Sequence, residues 1–290
     1  MITEGYLARH YQGRRGGRDP ALLDVAQDYA LKVLHDEGLF DLGLTFKGGT
    51  ALRKYRAGNL GRFSTDLDFA AVDPELGELV FGALDGVEFH DVRFDVEEVT
   101  PQRRANLRVV TPLGAPEIDA RVEVVPRPPW QPPELLAPVE FPVHGGYEFT
   151  PVPLPVVTLD ETIAEKLAAY RRRALLRDLY DLWWFTQQGA FDEALIRRLT
   201  YLKVYVDVVE ERIADGPFDA ERDLLDRVLT DFPSEAIGLL SGTPETETWL
   251  NRVNERFHFL ADPTEEEARL LLCDPRDSYE VSQLISALGD

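Results

Sequence analysis

The sequence predicts an α+β protein whose N-terminal half mixes strands with helices and whose C-terminal half is helical. Two stretches, 63–72 and 117–125, alternate apolar and polar residues as half-buried strands do. Residues 126–155 contain ten prolines and predict an extended connection that wraps the surface. The helical pattern begins after this connection, so we expect an α/β domain over residues 1–155 and a helical domain over residues 156–290.

The predicted elements follow one another without an internal repeat. Residues 20–37 predict an amphipathic helix, because Asp19 can cap it, Pro20 suits its first position and Gly38 ends it. A strand over 42–46 leads into a turn with two glycines and then into a helix. The other predicted elements are a helix over 76–85, strands over 87–99 and 105–111, and helices over 158–188, 192–200, 202–214, 218–231 and 264–272, while residues 233–260 give no clear pattern.

The composition predicts a soluble cytoplasmic protein. The single cysteine, Cys273, excludes an intrachain disulfide framework and a zinc site built on cysteines, and it fits a reducing compartment. The N-terminus lacks the basic flank and apolar core of a signal peptide. No segment approaches the roughly 20 apolar residues that a membrane-spanning helix needs. We therefore expect no membrane partner.

The net charge of −21 argues against a nucleic-acid partner, because phosphate backbones attract cations. The charge is unevenly distributed, however: residues 205–290 carry 21 acidic residues against seven arginines and no lysine, a net charge of −14. Basic residues cluster elsewhere, and two interpretations remain open, a local cationic face for RNA or ordinary solvated arginines. The clusters are Arg9, Arg14, Arg15 and Arg18; Arg103 and Arg104; and Arg171, Arg172, Arg173 and Arg177.

Two aspartates, Asp66 and Asp68, stand one residue apart within an apolar segment. Side chains alternate between the faces of a strand, so both carboxylates would share one face while Leu67 and Phe69 pack into the core. Like charges this close are unfavourable unless a cation lies between them. Oxygen ligands on a rigid strand suit a hard divalent ion, and Mg²⁺ carrying the phosphates of a nucleotide is the most natural match.

The segment Lys47-Gly48-Gly49-Thr50 precedes this strand and has the composition of a phosphate-binding turn. Glycines let backbone N–H groups approach a phosphate closely, although a tight strand-to-helix turn needs the same residues. The turn is not a Walker A loop, since no Gly-x-x-x-x-Gly-Lys-Ser/Thr occurs. Its order with the aspartate pair, which begins 17 residues after Gly49, favours a nucleotide site over a purely structural turn.

A second group of polar residues lies on the predicted helix that follows the proline-rich stretch. A series of residues recurs at steps of three or four, so a continuous helix would hold them on one side: Lys166, Tyr170, Arg173, Arg177 and Tyr180 or Asp181. The lysine can simply extend from apolar surface, and Asp178 can be an ordinary surface charge. Beside an acidic metal site, however, a lysine suits triphosphate binding as a point charge.

Together, four motifs resemble the AbiEii/AbiGii-type nucleotidyltransferase toxins, a family that includes the mycobacterial MenT toxins. They occur in the family's order between about residues 42 and 185, and the acidic tail after residue 205 matches no motif. The motifs are Phe46-Lys47-Gly48-Gly49-Thr50-Ala51-Leu52, Phe63-Ser64-Thr65-Asp66-Leu67-Asp68-Phe69, Ile163-Ala164-Glu165-Lys166 and Arg177-Asp178-Leu179-Tyr180-Asp181-Leu182.

The resemblance implies a fold and a set of site residues. The fold is a DNA-polymerase-β-like nucleotidyltransferase core, a mixed sheet with helices, followed by a helical domain that contributes Lys166 and Asp178 to the active site. A third metal carboxylate from a neighbouring strand would be Glu123 in preference to Asp119. The implied residues are Lys47, Gly48, Gly49, Thr50, Ser64 and Lys166 for the nucleotide, Asp66, Asp68, Lys166 and Asp178 for catalysis, and Asp66, Asp68 and Glu123 for the metal.

The resemblance also implies a reaction, the Mg²⁺-dependent transfer of a nucleoside monophosphate from an NTP to an acceptor hydroxyl. The implied acceptor is the 3′ end of tRNA, whose blockage would stop aminoacylation and translation, and a cognate antitoxin is the implied protein partner. Two alternatives stay open. One is transfer to a protein or to a small molecule such as an antibiotic, and the other is a catalytically silent nucleotide-binding module.

Overall fold

The computed structural model describes residues 2–12, 17–232 and 245–289. Within them the chain forms two compact units. The sheet unit contains the described residues up to Pro129 together with Pro133–Val157, and the helical unit contains Trp130–Pro132 and the described residues from Thr158 onwards. Arg14 and Arg15 of the N-terminal basic cluster, and residues 233–244 of the segment without a clear pattern, lie outside the described residues.

A mixed sheet of eight strands forms the framework of the sheet unit, as far as the described residues show it. The strands are β1 (Leu44–Lys47), β2 (Asp66–Ala71), β3 (Glu88–Phe89), β4 (Val92–Glu97), β5 (Arg104–Val110), β6 (Ala120–Val125), β7 (Glu134–Leu136) and β8 (Leu154–Val156). Their order across the sheet is β3-β4-β5-β6-β2-β1-β8-β7. β2 pairs with β6 and β1 with β8 in parallel, whereas the other neighbours are antiparallel.

The central strands bury one face and leave the other partly exposed. Leu67 and Phe69 of β2 lie in the core, whereas Asp66 and Asp68 lie on the opposite face, as the period of two predicts. β5 and β6 alternate in the same way, with arginines on the outer face. The outer face of these strands therefore carries their polar side chains.

Four helices accompany the sheet in the described part of this unit: α1 (Glu4–Tyr11), α2 (Arg18–Asp36), α3 (Gly48–Leu52) and α4 (Leu76–Leu84). The apolar stripe of α2 is buried in the core, which confirms the predicted amphipathic helix. The predicted cap was wrong, because α2 begins at Arg18 and Asp19 lies within its first turn. The short α3 begins at the glycine turn and continues through a π-helical turn, Arg53–Ala57, and a 3₁₀ turn, Gly58–Leu60. The glycine turn is thus the connection between β1 and this helical segment.

The helical unit contains α5 (Leu159–Arg173), α6 (Leu176–Thr186), α7 (Glu193–Tyr205), α8 (Thr246–Arg256), α9 (Glu265–Leu270) and α10 (Ser278–Ser286) among its described residues. Thr158 caps α5, because its hydroxyl accepts a hydrogen bond from the backbone N–H of Glu161 at 3.3 Å. In the described part of the chain, no helix combines the length and the apolar character that crossing a membrane would require.

Two predicted elements differ from the structure through local turn chemistry. The single strand predicted over 87–99 is a hairpin of β3 and β4, since His90 and Asp91 both adopt positive φ angles, 47° and 62°, and form its turn. The two helices predicted over 192–200 and 202–214 are one helix, α7, that ends in a π-helical turn, because neither glycine nor proline interrupts the pattern between them.

Two other predictions were wrong. The proline-rich segment is not wholly irregular, because β7 and β8 pair within it and extend the sheet at its edge, where proline is tolerated. The segment 218–231 holds no α-helix. It forms a π-helical turn, Glu221–Leu225, closed by a hydrogen bond from the Asp226 N–H to the Glu221 carbonyl, and a 3₁₀ turn, Leu229–Asp231.

Candidate active site

The glycine turn lies directly against the second aspartate of β2. Lys47 is the register partner of Asp68, and Gly48 follows with φ at +80°, a conformation that favours glycine. A Cβ atom at Gly48 would stand 2.1 Å from Oδ2 of Asp68, closer than any real contact. Glycine is therefore required here twice, for its backbone conformation and for the approach of the Asp68 carboxylate.

The second glycine leaves room for two polar side chains. A Cβ atom at Gly49 would stand 2.7 Å from Nη2 of Arg62 and 2.9 Å from the hydroxyl of Ser64. A Gly-Ser turn, the minimal nucleotidyltransferase pattern, would place its serine side chain where these two groups lie. Ser64 thus brings a hydroxyl to the turn from another segment, and Arg62, which the sequence reasoning missed, brings a cation beside it.

Thr50 ties the turn to β2. Its buried hydroxyl donates a hydrogen bond of 2.5 Å to the backbone carbonyl of Asp66. The side chain of Thr65 donates to Oδ1 of Asp66 at 3.1 Å. The hydroxyl of Thr50 is occupied by the backbone, so its contribution to a nucleotide site is to hold the turn at the strand that carries the carboxylates.

The predicted third carboxylate lies beside the aspartate pair but is engaged elsewhere. Glu123 is the register partner of Asp68, whereas Asp119 is exposed and precedes the paired residues of β6. Oε1 of Glu123 accepts a hydrogen bond from Nη2 of Arg104 at 2.8 Å. Glu123 above all, and then Asp68 and Asp66, raise the pKa of the Arg104 guanidinium. Among the described residues, no three His, Cys, Asp or Glu side chains are arranged to hold a metal ion.

Asp66 and Asp68 alone still fit a hard divalent cation. Both carboxylates are partly exposed, share one face of a rigid strand and offer only oxygen atoms. Mg²⁺ is commonly bound through one or two carboxylates, with water and substrate phosphates as its remaining ligands. The donor set therefore matches a metal that arrives with a nucleotide.

In the helical unit, the predicted lysine pairs with an aspartate that the sequence reasoning did not select. Nζ of Lys166 on α5 lies 2.7 Å from Oδ2 of Asp181 on α6 and 4.0 Å from Oδ1 of Asp178. Asp178 is fully buried, and Arg173 binds both of its oxygens at 2.7 Å. Asp181 is therefore the direct partner of the ammonium group, and Asp178 holds the guanidinium of Arg173.

The arginines considered for RNA contacts in the same unit are bound to its own carboxylates. Arg171 pairs with Asp223 at 3.2 Å and its side chain is only 8% exposed, while Arg172 pairs with Asp207 at 2.6 Å. The third arginine of the cluster is the partner of Asp178 described above. Their pairing favours the second interpretation left open by the sequence, in which these side chains stabilise the fold.

A buried ionic network lies behind the glycine turn, on the segment that follows α3. Arg53 binds both oxygens of Asp24, at 2.8 Å and 3.1 Å, and Nζ of Lys54 lies 2.7 Å from Oδ1 of Asp28. Nε2 of His10 lies 2.7 Å from Oδ2 of Asp24. All five side chains are buried. Burial opposes the charged form of Asp24, but Arg53 and then Lys54 and His10 outweigh it and hold the pKa of that carboxyl well below its usual value.

A glycine turn held against Asp68, with Asp66 on the same face of the adjacent strand of a mixed sheet, is the arrangement expected of a nucleotidyltransferase. The chain belongs to the nucleotidyl transferase AbiEii toxin family of type IV toxin–antitoxin systems, whose model matches residues 32–258. This match includes all four motifs quoted above. It confirms the family that the sequence predicted.

One solved structure supports the same conclusion. The chain is similar to MenT4, a nucleotidyltransferase toxin from Mycobacterium tuberculosis, with 44% sequence identity, 100% of each chain covered and a TM-score of 0.95. A putative nucleotidyltransferase from H. pylori has 18% identity over 83% of this chain and 96% of its own, with a TM-score of 0.47. JHP933 from Helicobacter pylori has 19% identity over 98% and 99%, with a TM-score of 0.45. No curated protein matches the chain significantly.

Proposed function

We propose that this AbiEii-family protein is a cytoplasmic toxin that transfers a nucleoside monophosphate from an NTP to the 3′ end of tRNA, and that a cognate antitoxin neutralises it. One observation carries the proposal: the backbone of Gly48 lies against the Asp68 carboxylate, so a phosphate-binding turn and a pair of acids meet at one point. The glycine turn or the aspartate pair, taken alone, could serve only the fold. A turn that serves only the fold, however, does not require an acid at its backbone.

In the proposed reaction, an acceptor hydroxyl oxygen forms a bond with the α-phosphorus of the NTP. The bond between that phosphorus and the oxygen bridging to the β-phosphate breaks, and pyrophosphate leaves with the bonding electrons while the hydroxyl proton is released. Positioning and charge neutralisation provide most of the rate in such transfers. Bound at Asp66 and Asp68, Mg²⁺ would supply charge neutralisation at the reacting phosphate.

The remaining predicted residues are proposed to bind and orient the nucleotide. The backbone of Gly48 and Gly49 would face the phosphates, and the hydroxyl of Ser64 would take the position that serine has in a Gly-Ser turn. Lys47, which ends β1 opposite Asp68, would add a positive charge at the same turn. Thr50 would hold the turn against β2 through the hydrogen bond from its hydroxyl to the backbone carbonyl of Asp66.

The two aspartates of α6 are proposed to have different tasks. Lys166 would contact the triphosphate as a point charge, and Asp181 would orient its ammonium group across 2.7 Å. Asp178 is a positioning residue in this proposal, since its buried carboxylate is occupied on both oxygens by Arg173. Glu123 is proposed as the third metal ligand through Oε2, because Arg104 binds its Oε1.

Label transfer tests the proposal. The purified protein is incubated with each NTP labelled at the α-phosphate, Mg²⁺ and total tRNA, and incorporation into tRNA is followed on a denaturing gel. We expect labelled tRNA from the wild type, and a loss of at least about a hundredfold in Asp66→Asn. Asp41→Asn is the matched control, because Asp41 is an exposed aspartate outside the site.

Each other outcome has a defined meaning. Equal labelling by wild type and Asp66→Asn would refute the role of this carboxylate. Labelling of a protein or a small molecule, with none of tRNA, would replace the proposed acceptor. Calorimetric binding of Mg²⁺ and a non-hydrolysable NTP without transfer to any acceptor would identify a silent nucleotide-binding module.

A further inference from the structure

The outer face of β5 and β6 continues the face that carries the aspartate pair. Asp66 is the register partner of Arg121 on β6, and Arg121 is in turn the partner of Asn106 on β5. Register partners project from the same face of a sheet. We call this surface, formed by Arg104, Asn106, Arg108, Arg121 and Glu123, the outer arginine face.

Part of the charge on and around this face is neutralised within the protein. Arg104 is bound to Glu123 at 2.8 Å. On β4, Nη2 of Arg93 lies 2.8 Å from Oδ1 of Asp95, and the hydrogen bond from Arg93, more than the nearby charge of Arg108, lowers the pKa of that carboxyl. These pairs explain two of the arginines as partners of neighbouring acids.

The two remaining arginines make no such close pair. Arg108 and Arg121 are exposed, and neither makes an ion pair or a hydrogen bond with any residue that the structure describes. Arg108 stands opposite Asp95, but the carboxylate of Asp95 is bound by Arg93. Asp119, the acid that precedes β6, pairs with neither of them in the same part of the chain. Arg108 follows the partner of Arg121 by two residues along β5, so the two are diagonal neighbours about 7–8 Å apart at their Cα atoms. Two neighbouring exposed arginines thus lie close to Asp66: Arg121 on the adjacent strand, β6, and Arg108 on the next strand, β5.

The order of the strands separates this surface from the glycine turn. β6 adjoins β2 on one side, and β1, which leads into the turn, adjoins β2 on the other. In a phosphoryl transfer the attacking and leaving oxygens lie on opposite sides of the phosphorus, roughly in line. If the triphosphate lies over the turn at the β1 side, the attacking hydroxyl approaches from the β6 side. The acceptor molecule that bears this hydroxyl would therefore lie on the outer arginine face.

We propose that Arg121 and Arg108 bind successive phosphates of a single-stranded RNA acceptor and lead its terminal hydroxyl to the site at Asp66. This inference rests on the proposed nucleotidyl transfer. A guanidinium group binds phosphate oxygens with two parallel N–H donors. The sheet fixes the backbone position of each arginine and so limits where its guanidinium group can reach. Arg121 contacts the phosphate nearer the reacting end, because its strand neighbours β2, and Arg108 contacts the phosphate further away.

Binding of a short fluorescein-labelled single-stranded RNA, measured by anisotropy over a series of salt concentrations, tests this proposal without turnover. The probe is titrated into wild type and the double variant Arg108→Gln/Arg121→Gln. We expect the double variant to bind at least about tenfold more weakly at low salt. Its slope of log affinity against log salt should be smaller by about 1.4, because each single-strand phosphate contact contributes about 0.7.

Two controls separate this role from neighbouring ones. Arg276→Gln removes one exposed arginine of the helical unit and should leave the RNA affinity within about twofold of wild type. Calorimetric binding of a non-hydrolysable NTP with Mg²⁺ should be the same in the double variant as in wild type. A circular dichroism melt of each variant checks that the fold is retained.

Every result decides between alternatives. An unchanged affinity and salt slope in the double variant, or no RNA binding by wild type, would overturn the proposal, and so would a loss of NTP binding, which would assign the arginines to the triphosphate. Tighter binding of a protein acceptor that depends on the same arginines would replace RNA. Failure of the proposed function is a separate observation, the absence of label transfer by wild type, and leaves the binding measurements interpretable.

Discussion

Charged side chains surround the glycine turn on two sides, and the two sides treat charge differently. Towards β2 the turn meets Asp66 and Asp68, which are partly exposed acids on one strand face. Behind it, Arg53 and Lys54 are buried and matched to Asp24 and Asp28 across distances of 2.7–3.1 Å. The first side exposes its acids to a ligand, while the second buries its charges and neutralises them within the protein. Exposure, more than residue type, distinguishes charges for chemistry from charges for structure.

The largest effect is expected where the internal neutralisation is removed. Asp24→Ala leaves the buried Arg53 without its carboxylate partner and removes the more distant of the two carboxylates beside Lys54, and should lower the free energy of unfolding by about 3–5 kcal/mol. Urea unfolding followed by circular dichroism measures this change. The exposed Asp41→Ala is the control and should change the same quantity by less than about 0.5 kcal/mol.

A double variant sharpens this prediction. Asp24→Ala/Arg53→Met removes one ion of each sign and should recover part of the lost stability, because the cost arises from an unpaired buried charge. An Asp24→Ala protein with the wild-type unfolding midpoint would show that the network does not stabilise the fold. The contrast between the two sides of the turn would then disappear.

The aspartates of α6 extend the comparison to the helical unit. Asp181→Asn leaves Lys166 without its 2.7 Å partner and should raise the KM for NTP by about tenfold, since the ammonium loses its orientation. Asp178→Asn instead weakens two hydrogen bonds to Arg173. It should lower the free energy of unfolding by about 1–3 kcal/mol, with a smaller change in KM. Steady-state label transfer and urea unfolding of both variants measure the two effects, and the reverse assignment would contradict the geometry.

The aspartate pair was predictable from the sequence, whereas the ionic network was not. The common face of Asp66 and Asp68 follows from the period of a strand, which is a local property. Asp24 and Arg53 are 29 residues apart in sequence, and only tertiary packing brings them together. In the sequence, Arg53 and Lys54 look like ordinary helix-surface cations.

The sequence alone also could not decide which of the two aspartates of α6 is the partner of Lys166. Asp178 and Asp181 are three residues apart and both lie towards α5, so helical spacing fits either as the partner of Lys166. The side-chain geometry decides for Asp181. The glycine turn was predictable in part. Its composition indicated a phosphate-binding turn, but its contact with Arg62 and Ser64 depends on a loop conformation that no local pattern specifies.

Acid is expected to destabilise the protein through the same buried network. Burial opposes the charged form of both carboxyls, but nearby cations outweigh it. Arg53 and Lys54 hold the pKa of Asp24 well below the ordinary 3.8. Lys54 and His144 hold the pKa of Asp28 below the same value. A carboxyl with a lowered pKa stabilises the fold above its unfolded pKa, and this contribution is lost as the pH falls through the folded value. The free energy of unfolding should therefore decline below about pH 5 and continue to fall below pH 3.8.

Urea midpoints measured between pH 7 and pH 3 check this decline. Asp24→Asn should show a shallower loss over the same interval, because it no longer titrates at that position. A variant whose midpoint falls as steeply as that of the wild type would assign the acid sensitivity to other carboxyls.

The smallest effect is expected at the contact that joins the turn to β2. Thr50→Val removes the hydroxyl that donates to the Asp66 carbonyl but keeps the shape of the buried side chain, so the loss of stability should be about 1 kcal/mol. Thr50→Ser keeps the hydroxyl and serves as the matched control. If the turn and β2 act as one unit, Thr50→Val should also raise the KM for NTP by severalfold while Thr50→Ser does not, because a turn released from Asp66 no longer holds its backbone at the carboxylates. Equal KM values in both variants would mean that the turn is held by the contact of Gly48 with Asp68 alone.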